Sequence, residues 1–248
     1  MFAALGANVF AFSVDEPAQR EAARSAVEKH RVRREQKVEA VALDVSDREA
    51  VERVLSAAAV SFGPPDVVLC SAGIGGAVYF ENLSFERFDR TMQINLYGTR
   101  HTIAALLPFM KGRGGQIVTV SSMSGLIGLV GYTAYATSKF AVVGFSQSLR
   151  AELKRYGIWV SVLCPPQVAT PLLEKADRDK PPETKAINDR AGLLQPAEVA
   201  AAIVRGIEKK QFLIIPGRRA RLFHLFHRLA PTWRERLTDR VVRRFRRS

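Results

Sequence analysis

Cysteine is scarce in this chain. Cys70 and Cys164 are the only two in 248 residues, which excludes a disulfide-built fold and leaves no thiol cluster for a metal. Each closes a run that reads as a strand, so both are expected as buried, reduced thiols of a cytoplasmic protein. Long apolar runs are lacking as well: no stretch reaches the about 18 uninterrupted apolar residues of a membrane span. The N-terminus shows neither the charged start nor the small-residue cleavage site of a signal peptide. No internal repeat or low-complexity block appears. Acidic residues are in deficit, with 24 Asp and Glu against 37 Lys and Arg and a net charge of +13. Such an excess raises nucleic acid as a partner, but its distribution argues against one. Eleven arginines against Glu235 and Asp239 fall from Gly217 onward, interleaved with leucines, phenylalanines and Trp233, and no groove-reading motif accompanies them.

What is present can bury one sizeable core, since 47% of the residues are hydrophobic. The polar segment Glu174–Gln195 is too short to separate two. Met1–Gly6 reads as a helix tail ending in glycine, so the chain opens in mid-fold. Strands are expected at Asn8–Ser13, Val38–Leu43, Asp66–Cys70, Gln116–Ser121, Ile158–Cys164 and Phe212–Ile215, with helical patterns between them. The helix after Asp44 is expected to be capped by Ser46, with Glu49 three residues on. This alternation predicts an α/β fold, a doubly wound parallel sheet in a single domain. Ligands of such sheets sit beyond the carboxyl ends of the strands. Asp44, Cys70–Gly73, Ser121–Ser122 and Pro165–Thr170 all fall there.

The chain is organised around Val118–Lys139, a β-branched run, a Gly/Ser-rich loop and a helix. Tyr135 and Lys139, four residues apart, share one helix face, which Val142, Ser146 and Leu149 continue. A phenol and an ammonium on an apolar stripe need a reason, because burying them is costly. A core helix with a snorkelling lysine is one reading. The sharper one is acid–base chemistry, in which the lysine charge pulls the tyrosine pKa down toward neutrality and Ser122 aims a hydroxyl into the same space. Asn95 sits on the stripe of Phe85, Phe88 and Met92, where an amide either bonds local backbone or serves the site.

Ser122, thirteen residues before Tyr-x-x-x-Lys, together with the Ser122–Gly125 turn, resembles the short-chain dehydrogenase/reductases. The resemblance runs to about Gly217 and implies a Rossmann-type domain over residues 1–216, followed by a basic amphipathic tail, 217–248. It implies that Tyr135 is the proton donor, Ser122 holds the substrate oxygen, Lys139 also binds the nicotinamide ribose, and Asn95 supports a proton relay. By the same resemblance Asp44 and Val45 contact adenine, and Ala72 and Gly73 pass the ribose. Pro165, Val168 and Thr170 match the loop that holds the carboxamide. Cys70-Ser71 and Pro166 depart from the family pattern. The largest departure is the absence of the first strand and its Thr-Gly-x-x-x-Gly-x-Gly turn, which places helix N–H groups against the cofactor pyrophosphate. Met1 is therefore expected to be an internal methionine, and the alternative is a chain that binds cofactor poorly. Ser13 stands where an acid would signal NAD, which leans to NADP, although Val14 replaces the basic residue often found next.

Pro165-Pro-Gln-Val-Ala-Thr-Pro171 and Lys180-Pro-Pro-Glu-Thr-Lys185 are similar to segments of the 3-ketodihydrosphingosine reductases, where they form the substrate lid. A Pro-stiffened loop is the plainer reading. Leu172 and Leu173 would suit an alkyl chain. The implied activity is reduction of a long-chain lipid ketone. The alternatives are another lipid, steroid or acyl carbonyl, or a non-catalytic scaffold of the same fold. The tail, with Leu222, Leu225, Phe226 and Leu229 at helical spacing among arginines, is expected to rest on an anionic membrane surface. A solvated helix or a dimer contact is its other reading, and a homo-oligomer is expected.

Overall fold

The computed structural model of the chain describes residues 1–171, 173 and 180–245. Ala3–Leu5 forms a single 3-10 turn that closes on Gly6, whose φ of 88° suits glycine. β1 (Val9–Ser13) and β2 (Val38–Ala42) pair in parallel across the crossover helix α1 (Pro17–Glu28). α2 (Arg48–Phe62) leads into β3 (Val67–Cys70). α3 (Phe85–Met92) passes through a π-helical turn, Gln93–Tyr97, into α4 (Gly98–Met110). β4 (Gly115–Val120), α5 (Thr133–Leu153) and β5 (Ile158–Leu163) follow. The remainder is β6 (Gln167–Val168), α6 (Pro182–Ala191), β7 (Leu193–Leu194), α7 (Pro196–Glu208) and β8 (Leu213–Ile214), then α8 (Arg218–Leu229) and α9 (Pro231–Phe245).

β3, β4, β5 and β8 form one parallel sheet in that order, and β6 pairs with β7 apart from it. Consecutive side chains of β4 point to opposite faces, as a period of two requires. Ile117 packs with Val51, Leu55 and Ile103 of α2 and α4, while Val118 packs with Val199, Ala202 and Ile203 of α7. Both are 0% exposed, and burying each such side chain is worth about 2 kcal/mol. The sheet is thus covered on both faces, the expected α/β architecture. Among the described residues no strand ladder joins the β1–β2 pair to the four-stranded sheet. Phe10 and Phe12 of β1 nevertheless pack on the core that holds Val68 and Cys70, so both pieces share one interior.

Two local expectations are corrected. Asp47, not Ser46, caps α2, its carboxylate accepting from Ala50 N at 3.0 Å. Ser46 turns back and donates to Asp44 Oδ1 at 2.6 Å, a shorter reach than the helix offers. The Lys180–Lys185 segment is not a loop throughout: Pro182 opens α6, a position where the missing N–H costs nothing. Leu172, expected beside an alkyl chain, lies outside the described residues. Cys70 and Cys164 are free and buried, as expected. Among the described residues no helix is long and apolar enough to cross a membrane.

Candidate active site

α5 begins immediately after the loop that follows β4, and this places Tyr135 in its first turn and Lys139 one turn later. The junction is tied tightly. Ser121 Oγ donates to Lys139 O at 2.8 Å, and Lys139 Nζ donates to Val120 O at 2.9 Å. Gly125 lets the loop press on the helix, because a Cβ there would lie 2.6 Å from Lys139 O and would also meet Ser121 Oγ. Ser122 is extended, its hydroxyl accepts from Ser124 N at 3.1 Å, and the same hydroxyl acts to lower the pKa of the Tyr135 phenol. Lys139 Nζ lies 5.7 Å from the centroid of the Tyr135 ring.

Ser122, Tyr135 and Lys139 converge on one cavity of about 500 Å³, within the usual range for a ligand pocket. Burial governs its electrostatics. It pushes the Tyr135 phenol up to about 12, against the lowering effect of the Ser122 hydroxyl. It also pushes Lys139 down to about 8. This reverses the direction expected for the tyrosine, because the ammonium sits over the ring and bonds Val120 O while both groups are withdrawn from water. The phenol is therefore protonated at neutral pH, the form a proton donor needs.

Gly73, Pro165, Val168 and Thr170 line the same cavity. Ser13, Asp44, Val45 and Ala72 are not among its lining residues. Ser13 ends β1, its hydroxyl accepting from Asp15 N at 3.4 Å. Asp44 is engaged by Ser46 and by Arg90, 3.1 Å away. Burial would raise its carboxyl, but these hydrogen bonds prevail and hold it below the ordinary carboxylate range. Val45 is buried against Gly98, where a Cβ would be crowded by its side chain. Ala72 is exposed at the end of β3.

Asn95 sits in the π-helical turn at 1% exposure. Such turns recur at functional sites. Its Oδ1 accepts from Ile74 N at 2.8 Å, and its Nδ2 donates to Ile74 O at 3.0 Å and Ser138 Oγ at 2.9 Å. Asn95 thus clamps the loop after β3 to α5. A Cβ on Gly73 would lie 3.0 Å from Asn95 Oδ1 and 3.4 Å from Lys139 Nζ, so the bare backbone leaves room beside the lysine.

Several residues escaped the sequence reading. Tyr132 lies 5.5 Å from Tyr135 between ring centroids, and Asn188 of α6 donates to its hydroxyl at 2.9 Å. α6 is held further by Thr184 Oγ1 donating to Val130 O at 2.7 Å, and by Tyr79 donating to Glu183 at 2.8 Å. These partners are separated by dozens of residues, and only the fold brings them together. The cavity also runs to Phe223, Phe226, Thr238 and Val241 of the C-terminal helices.

A parallel sheet with Ser122, Tyr135 and Lys139 converging beyond its strand ends is the arrangement that the resemblance to nicotinamide-dependent oxidoreductases implies. The sequence pattern of the family described as short chain dehydrogenase matches residues 1–181, and the chain belongs to that family. The 3-ketodihydrosphingosine reductase of Bos taurus is 38% identical over 192 residues, covering 77% of this chain and 58% of the bovine protein. The protein of that name from Dictyostelium discoideum is 35% identical over 183 residues, covering 72% of this chain and 55% of its own. The chain therefore spans between half and two thirds of the length of these relatives. A short chain dehydrogenase/reductase from Burkholderia phymatum, solved in complex with NAD, has the same fold: TM-score 0.77 at 24% identity, covering 92% of this chain and 87% of the other.

Proposed function

We propose that this chain carries the catalytic site of an NADPH-dependent reductase of a long-chain lipid ketone, with 3-ketodihydrosphingosine reduced to dihydrosphingosine. The observation that carries the reading is that a protonated Tyr135, Ser122 and Lys139 together line a largely apolar cavity. The names of the bovine and Dictyostelium relatives support the substrate.

The residues present fit the nicotinamide half of the cofactor. Lys139 Nζ, an ammonium with three donors, gives one of them to Val120 O and faces the space that Gly73 leaves open. Lys139 would hold the ribose, and Val168 and Thr170 would hold the carboxamide. The Gly-rich pyrophosphate turn is not in this sequence. When bound, the cofactor supplies the hydride. Ser122 then hydrogen-bonds the ketone oxygen and stabilises the charge that develops on it. Tyr135 gives its phenolic proton to that oxygen. Lys139, beside the ring, favours the phenolate left behind and eases the transfer. Ser13 at the end of β1 leaves room for a ribose phosphate, which supports NADPH over NADH.

The same reading places the protein at an anionic membrane surface. Leu222, Leu225 and Leu229 of α8 are 67%, 53% and 76% exposed, and Trp233 is 62% exposed, among arginines. Apolar side chains ringed by arginine suit an interface of anionic lipid, the layer in which a sphingoid precursor dissolves. Turnover of 3-ketodihydrosphingosine with NADPH and with NADH, against a panel of steroid and acyl ketones, tests the assignment. Preference for a steroid would overturn the substrate, and preference for NADH would overturn the cofactor.

A further inference from the structure

The cavity does not end with the short chain dehydrogenase core. It begins at Ser122 and Tyr135 and continues to Phe223 and Phe226 on α8 and to Thr238 and Val241 on α9. In each helix the two lining residues are three apart, so each turns one continuous face inward. Both helices pack on α6, which contributes Ile187 to the same wall. α6 is in turn tied to the active-site loop through Thr184 and Asn188, so the helices that carry the wall pack on an element bonded to the Tyr135 region. The charge pattern is equally one-sided. Among the described residues Lys139 is the only charged one that lines the cavity, and none of the tail arginines with described side chains belongs to the lining.

We propose that α8 and α9 form the far wall of an alkyl-chain channel, and that Phe226 and Val241 set the chain length it accepts. The proposal rests on the reading of the substrate as an alkyl ketone and deepens it. Its chemistry follows from the wall. Among the described side chains this wall offers carbon, one hydroxyl, Thr238, and no charge, a surface that accepts a neutral hydrocarbon chain and rejects a phosphorylated or carboxylated one. Selectivity would then come from residues beyond the family match, which ends at residue 181. Phe226 lines the cavity while remaining 41% exposed, and the leucines of α8 are more exposed still, so one helix both shapes the channel and presents an outer apolar surface.

Each methylene transferred from water to such a wall is worth about fourfold in affinity. A bulkier side chain at the far end should therefore cost long chains on the order of tenfold or more and leave short chains alone. The test uses the full chain with Phe226→Trp, Val241→Phe and Phe226→Ala, titrated calorimetrically with methyl ketones of short, medium and long alkyl chain. Circular dichroism melts establish folding, and if a bulky variant unfolds, Phe226→Ala carries the test. Expected are a loss confined to long ketones in the two filling variants and a shift toward longer chains in Phe226→Ala. A loss uniform across lengths, or no change in any variant, overturns the inference while leaving the alkyl-ketone reading intact. Absence of ketone binding at every length in the parent protein overturns both.

Discussion

Replacing Lys139 by methionine should change how stability depends on pH, and the sign and size follow from burial. Lys139 is 5% exposed, and withdrawal from water lowers its ammonium from 10.5 to about 8. Below pH 8 the folded and unfolded chains both hold the proton, and the folded state bears the full cost of a buried charge. Between pH 8 and 10.5 the unfolded chain keeps a proton that the folded chain has released, so stability rises with pH by about 1.4 kcal/mol per unit. Lys139→Met lacks this group. The loss of the hydrogen bond to Val120 O is an offset that does not vary with pH. Tyr135, Cys70 and Cys164, all raised to about 12 by burial, act in the opposite direction above their unfolded values. Tyr135 and Cys70 are present in both proteins and cancel in the difference, and both proteins carry Cys164→Ser because the Lys139 charge lowers that thiol. Urea unfolding of the two proteins from pH 7.5 to pH 10 should therefore show the difference moving by about 2 to 3 kcal/mol in favour of the parent. A difference that stays flat over that range would refute the claim that Lys139 is held as a buried charge.

Three further outcomes are expected. Asn95→Ala strands Ile74 N–H and C=O, and should destabilise the fold by about 2 to 4 kcal/mol in denaturant melts; a loss under half a kilocalorie would show that the clamp carries no energy. Gly125→Ala forces a methyl against Lys139 O and should cost about 2 kcal/mol and displace the lysine, which a melt and a crystal structure of the variant would reveal. Replacing Leu222, Leu225 and Leu229 together by serine should strongly reduce co-sedimentation with anionic vesicles at low salt, and equal recovery would remove the membrane from the account.

Much of the fold was legible because local chemistry decided it. The sheet strands were placed within a residue or so by aliphatic runs ending at glycine, proline or polar clusters, and the α5 helix was marked by the spacing of Tyr135, Lys139, Val142 and Ser146. The meeting of Ser122, Tyr135 and Lys139 at one cavity was legible for the same reason: strand end, loop and first helical turn lie within one stretch of sequence. What failed depended on partners distant in the chain. The helix cap passed to Asp47 because Ser46 had a nearer acceptor in Asp44, itself held by Arg90. Phe85, placed on an apolar stripe by periodicity, is 77% exposed. Phe226, read from its spacing with Leu222, Leu225 and Leu229, is 41% exposed and also lines the cavity, a second contact that helical periodicity does not report. The tyrosine pKa went the other way because two buried groups compete for too little water, which spacing along a helix does not report.

The central claim is that Tyr135 delivers the proton to a lipid ketone, and the most direct measurement is NADPH consumption with 3-ketodihydrosphingosine by the parent and Tyr135→Phe proteins. The account predicts stoichiometric formation of dihydrosphingosine by the parent, and a rate lower by about 10² to 10⁴ in a variant with an unchanged melt and unchanged cofactor binding. Equal turnover by the two proteins would contradict it.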